Sequence, residues 1–150
     1  MAETYGFWDS TEGDTRTYSA DSFNNILQML LTDGICGDST SLRASGSGLS
    51  VSVSAGGAII EGHWYKNSAA KSLSFTPPTS GVRYDRIVLR HNISNKRIGL
   101  VYRKGTGSSP PEPVNNGTYH DIPICKLLVS SSQIIFITDE RNFISLRGGS

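Results

Sequence analysis

The sequence predicts a mostly β protein, an antiparallel β-sandwich of about seven short strands with one N-terminal α-helix packed on it. Three observations carry that prediction. Tyr84-Asp85-Arg86-Ile87-Val88-Leu89-Arg90 and Arg97-Ile98-Gly99-Leu100-Val101-Tyr102 alternate in character and are joined by the turn-forming run Asn92-Ile93-Ser94-Asn95-Lys96. Phe23, Ile26, Leu27, Leu30 and Leu31 recur at helical spacing and make one apolar stripe. After Ile35 the apolar runs are short and bounded by Gly, Ser, Asn or Pro, the punctuation of strands.

The elements follow in order. The helix is expected over about 20–32, with Ser19 or Asp21 placed to cap its start and Gly34 placed to end it in the left-handed conformation. Its stripe must be buried, and the rest of the chain offers only sheet to bury it against. Gly37 to Gly48, dominated by Ser and Gly, reads as a mobile loop. Leu49, Val51 and Val53 alternate with serines as a half-buried strand does. Gly56-Gly57 reads as a turn, Ala58 to Tyr65 as the next strand, and Ser72 to Phe75 as a third stopped by Pro77-Pro78. In the central hairpin Ile87 and Leu89 are expected opposite Leu100 and Ile98, with Arg86 and Arg90 on the other face. Lys104 to Gly117, holding Pro110-Pro111-Glu112-Pro113, reads as a loop that flexes or docks on a partner. Tyr119 to Val129 and Gln133 to Thr138 complete the set, and Arg147-Gly148-Gly149-Ser150 reads as a flexible tail.

Composition narrows the function classes. The 150 residues fit a single domain spanning 1–150 with a real core, and the formal net charge is only +1. Lys and Arg are scattered rather than clustered, so no nucleic-acid partner is predicted. No apolar run has the length of a membrane helix, so no membrane partner is predicted either. Met1-Ala2-Glu3-Thr4-Tyr5 lacks a basic and apolar leader, which predicts folding in a cytoplasm. Cys36 and Cys125 are far apart and form no CxxC pair. Free thiols are the expectation, a long-range disulfide the alternative. A structural zinc site needs four ligands at close spacing, and the sequence places no such set around either cysteine, so no zinc site is predicted.

Five stretches in order carry a family resemblance. They are Gly6-Phe7-Trp8-Asp9-Ser10 with Tyr18 and the helix into Asp33-Gly34-Ile35; the run Val51 to Asn67, with Gly56-Gly57-Ala58-Ile59-Ile60-Glu61-Gly62-His63-Trp64-Tyr65 inside it; Tyr84 to Arg90; Tyr119-His120-Asp121-Ile122-Pro123-Ile124-Cys125-Lys126-Leu127; and Ile137-Thr138-Asp139-Glu140-Arg141. Together they resemble the N-terminal "shoulder" domain of baseplate and receptor-binding proteins from siphophages of Gram-positive bacteria. The resemblance implies a β-sandwich with one helix that attaches a fibre and is often trimeric, with host saccharide bound by a separate C-terminal head. No neck or head follows Arg141 here, so the expectation is a small non-enzymatic structural or docking protein of the tail or baseplate region. Its expected partners are other tail or baseplate proteins, and its expected location is the virion. In isolation a monomer is expected, and the reading allows a trimer on the virion without requiring one.

The candidate site residues also have plain structural roles open to them. Asp85, Arg86, Arg90, Asp139 and Arg141 recur as Asp with Arg near strand ends. Their expected work is pairing and loop-capping within the fold, as weak exposed pairs, with a partner-facing role as the alternative. Gly62 is read as relieving a bulge or a close backbone approach. No Gly-x-Ser-x-Gly elbow is present, and His120 and Asp121 would point to opposite faces of a strand. Glu61 with Asp139 is the conceivable glycosidase pair, and neither catalysis nor a cofactor is predicted. Trp64, Tyr65 and Trp8 are aromatics that can stack on sugars. Adjacent Trp64 and Tyr65 would face opposite ways, and core filling with sheet-edge cover is the expected role. A host cell-wall saccharide-binding module is the alternative function.

Overall fold

A computed structural model describes Glu3 and residues 5–148. One helix, α1 (Ala20–Leu30), precedes ten strands: β1 (Gly34–Cys36), β2 (Ala44–Ser47), β3 (Ser50–Val53), β4 (Gly56–Ile60), β5 (His63–Asn67), β6 (Lys71–Leu73), β7 (Val82–Asn92), β8 (Arg97–Arg103), β9 (Tyr119–Ser130) and β10 (Ile134–Asp139). They form three antiparallel sheets, ordered β10-β9-β7-β8, β1-β4-β5 and β2-β3-β6. The protein is mostly β with one helix, as the sequence predicts, with more strands than expected.

The long strands β7 and β9 form the spine of the fold. Ile87, Leu89, Leu127 and Val129 from this sheet meet Val51 and Val53 of β3 and Ala58 and Ile60 of β4 in one core. Burying each of these aliphatic side chains contributes about 1.5–3 kcal/mol. Tyr102 stacks on Phe75 at 4.9 Å and closes the core at one edge. The hairpin register differs by two residues from the expected one: Leu89 pairs with Leu100, Ile87 lies opposite Tyr102 and Ile98 opposite His91. A bulge on β9 at Ile124 shifts the β7–β9 register between Ile87 and Val88.

Several expectations are corrected. Gly37 to Gly48 is not a loop throughout: Leu42 is fully buried and 44–47 pairs with β3 as β2. Gly56-Gly57 is not a turn but the start of β4. A Cβ at Gly56 would sit 2.2 Å from the Ser41 hydroxyl, so close packing explains the glycine. The turn lies at Glu61-Gly62, both at positive φ (50° and 79°), and splits the expected 58–65 strand in two. Gly34 does not end the helix, which stops at Leu31 in extended backbone (φ −123°). Instead Gly34 begins β1 where the 142–144 backbone passes within 2.7 Å of its missing Cβ. The side chain of Ser19, at the helix start, makes no capping hydrogen bond. The end of the tail lies partly outside the described residues, but Arg147 donates its backbone amide to Leu30 and Leu31 bridges Leu146, which ties the tail to the helix end.

The helix departs most from expectation. It rests on the β4–β5 turn through its Asn24 side, where a Cβ on Gly62 would meet the Asn24 carbonyl at 2.2 Å. None of its residues is buried. Phe23, Ile26 and Leu30 of the predicted stripe are exposed, and Met29 beside them is 76% exposed.

Candidate functional site

Three of the residues singled out in the sequence, Asp85, Arg86 and Arg90, form a ladder of ion pairs along β7. Asp85 is fully buried and accepts from Arg83 Nε (2.7 Å) and Nη2 (2.8 Å), the Tyr102 hydroxyl (2.5 Å) and the Gly105 amide (2.8 Å). Arg86, on the other face, donates to both Glu140 oxygens and to the Pro111 carbonyl. Arg90 forks onto Asp121, which also accepts from the Val114 amide, and its guanidinium lies 4.2 Å over the Tyr119 ring. These pairs hold the Lys104–Gly117 loop down on the sheet, so that segment docks on its own chain. They are sequestered rather than exposed, apart from Asp139. Asp139 pairs with Arg141, which also donates to the Ser41 carbonyl.

Ionisation follows this pattern. Hydrogen bonds to Asp85, Glu140 and Asp121 hold Arg83, Arg86 and Arg90 above the ordinary guanidinium range. Arg141 lowers Asp139. Burial, then the Asp85 contact, raises the Tyr102 hydroxyl. The Cys125 thiol is pushed up to about 12, chiefly by burial, and burial raises Cys36 too. Both cysteines are free. The thiolate is the reactive form, so a raised pKa makes buried Cys125 and half-buried Cys36 less reactive.

Two surface features remain. The first gathers all three histidines. His91 and His120 are cross-strand partners on β7 and β9, so their side chains share a face. His91 Nδ1 lies 3.0 Å from Glu61 Oε1, and His120 Nε2 lies 3.0 Å from Asp33 Oδ2. His63 stacks at 4.7 Å on His91 and places Nδ1 3.0 Å from the Glu61 carbonyl, its Nε2 3.0 Å from Asn24 Nδ2 of α1. This joint pins the helix to the sheet edge. It opens into a cleft of about 850 Å³ lined by α1, β5 and the β7–β8 hairpin. Trp64 stands on its wall, 68% exposed, while Tyr65 turns inward against the core. Among the described residues no group of three or more His, Cys, Asp or Glu side chains has metal-binding geometry.

The second feature is apolar. Tyr5 and Phe7 share a groove of about 460 Å³ with Ile26 and Met29 of α1. Trp8 lies beside Tyr5, and Leu146 is held at the helix end. Several of these are more than half exposed, among them Tyr5, Trp8, Phe23, Met29, Leu30 and Leu146. Exposed apolar groups gathered on one helix face and the arm beside it are the kind of surface that marks an interaction site.

The structure separates Glu61 from Asp139, which lie in different clusters, the first with His91 and the second with Arg141. His120 and Asp121 face opposite ways as expected, toward Asp33 and Arg90 respectively. The histidine cluster is invisible in sequence because its members sit on three strands, and only the β7–β9 register and the β4–β5 turn bring them together. No helix among the described residues is long and apolar enough to cross a membrane. Comparison of the chain with protein-family models, with curated proteins and with solved structures yields no match.

Proposed function

We propose that this chain is a non-enzymatic docking or assembly module of a bacteriophage tail or baseplate region. The observation that carries the docking role is the apolar face of α1 and the N-terminal arm. A short helix is marginal in water unless its apolar face is packed. Here that face is turned out beside exposed aromatics, the composition that dominates protein interfaces. In this reading the buried Asp–Arg pairs are structural, each spent on a partner within the fold, and burial keeps the Cys125 thiol in its unreactive protonated form. The phage setting rests on the five-motif resemblance to shoulder domains, and with it the virion location, the tail or baseplate partners and a chain that is monomeric in isolation.

Mass spectrometry of purified virions is expected to find the chain as a component, and its absence from particles overturns the virion role. Light scattering on the isolated protein is expected to give a monomer at micromolar concentration, and a stable trimer there contradicts that expectation. A second reading, a module binding host cell-wall saccharide, is favoured by one observation: Trp64 presents its ring at the mouth of the histidine cleft. Titration with cell-wall fragments tests it, and no binding at millimolar ligand removes it.

A further inference from the structure

We propose that the cleft between α1, β5 and the β7–β8 hairpin binds an anionic carbohydrate, a sugar ring bearing a phosphate or carboxylate; this rests on the saccharide reading of Trp64 and narrows it. The cleft, about 850 Å³, falls within the size of small-molecule sites, roughly 300–1,000 Å³. Its parts divide the recognition of such a ligand between them. Trp64 offers an exposed ring for the flat face of a sugar, and Ile93 and Ile98 supply apolar lining.

The polar lining is cationic. Lys66, Lys96 and Arg97 line the cleft without an ion-pair partner among the described residues, against Asp21 as the single lining carboxylate. The arginines of β7 are spent on carboxylates of the fold, whereas these three cations, from β5, the β7–β8 turn and β8, converge on one cleft. Charge-assisted bonds from such groups to an anionic oxygen are about twice as strong as neutral ones.

His91 supplies the most specific element. The residue is 6% exposed yet lines the cleft. Its Nδ1 is held by Glu61 at 3.0 Å, which places the proton there and fixes the tautomer. Nε2 has no hydrogen-bond partner among the described residues, so it is the polar atom His91 has left to offer a ligand. Neutral, it accepts from a sugar hydroxyl; protonated, it donates to an anionic oxygen.

The test is an NMR titration of the whole chain that follows the two Trp indole signals, the Trp64 signal being assigned with Trp64→Phe. The probes are a glucose monophosphate, glucuronate, glucose and inorganic phosphate. The expected result is a saturable shift of the Trp64 indole with the glucose phosphate or glucuronate, the two arms separating phosphate from carboxylate. Glucose and inorganic phosphate are each expected to bind at least about tenfold more weakly, a difference of about 1.4 kcal/mol. The Lys66→Ala/Arg97→Ala variant is expected to weaken the anionic sugar at least about tenfold with amide dispersion unchanged. Glucose binding as tightly as its phosphate overturns the anionic assignment and leaves the saccharide reading standing. Inorganic phosphate reproducing the whole effect overturns the sugar assignment. No shift of Trp64 by any probe at ~10 mM, a concentration that detects even millimolar affinity, overturns both.

Discussion

At the scale of single residues, Asp85 is the most consequential side chain of the fold. A fully buried carboxylate is costly in a core, and four hydrogen bonds together with the Arg83 charge offset that cost. Removing it strands the Arg83 guanidinium, itself only 8% exposed. Asp85→Ala is expected to lower the unfolding free energy by about 3–5 kcal/mol in urea denaturation. A loss under about 1 kcal/mol, the worth of an exposed pair, would mean the buried geometry is wrong. Cys125 gives a pH dependence. Its thiol sits at about 12 in the folded protein, raised mainly by burial, against ~8.5 in the unfolded chain. A raised folded pKa gives stability that is complete below the unfolded value and is lost as pH climbs above it. Stability is therefore expected to decline above pH ~8.5, by at most about 1.4 kcal/mol per pH unit for one proton. Cys125→Ala is expected to flatten part of that decline. An unchanged alkaline slope in the variant would assign the effect elsewhere, Tyr102 being the next group raised by burial.

At the scale of elements, the β4–β5 turn and α1 behave as one unit. Gly62 has φ 79° and no room for a Cβ, because the Asn24 carbonyl would lie 2.2 Å from it. Gly62→Ala is expected to cost more than the ~1 kcal/mol of the backbone term alone, since it also pushes the helix off the turn. Loss of helical circular dichroism with the sheet signal retained would report that separation; a variant as stable as the parent would argue against the contact. Phe23→Ser and Met29→Ser, by contrast, are expected to change stability by no more than about 0.5 kcal/mol, because neither side chain is buried. If either costs as much as a core truncation, the face is covered in solution.

These elements also show what the sequence could and could not reveal. The β7–β8 hairpin was legible because Ile87 and Leu89, like Ile98 and Leu100, recur at every second position, the spacing that puts each pair on one face of its strand. Strand β2 was not legible. Ala44-Ser45-Gly46-Ser47 has no apolar alternation, and it is a strand only because β3 pairs with it and Gly46 leaves room for Ile134, whose Cδ1 would lie 2.9 Å from a Cβ there. The helix was legible as a helix, but periodicity reports which residues share a face and not whether that face is covered. The Trp64–Tyr65 alternation was readable, whereas the histidines beside it depend on strand register.

At the scale of the whole molecule, stability is distributed unevenly. The core is shared among all three sheets, so they are expected to unfold together. Helix α1 stands apart: no residue of it is buried, and its ties are the Asn24–His63 contact, the packing on Gly62 and the bridge to the tail. Amide exchange in an element follows the cheapest opening that exposes it, and segments with few buried apolar contacts open locally. In the isolated chain, hydrogen exchange is therefore expected to be fast across 20–30 and slowest in the paired centres of β7 and β9. Equal protection of α1 and β9 would contradict the exposed helix. The docking proposal adds a second expectation. A partner that covers Phe23, Ile26 and Leu30 removes that local opening, so α1 is expected to become protected when the chain is bound to a tail or baseplate component while β9 changes little. A bound state in which α1 still exchanges as fast as in the free chain would show that the partner is held through another face.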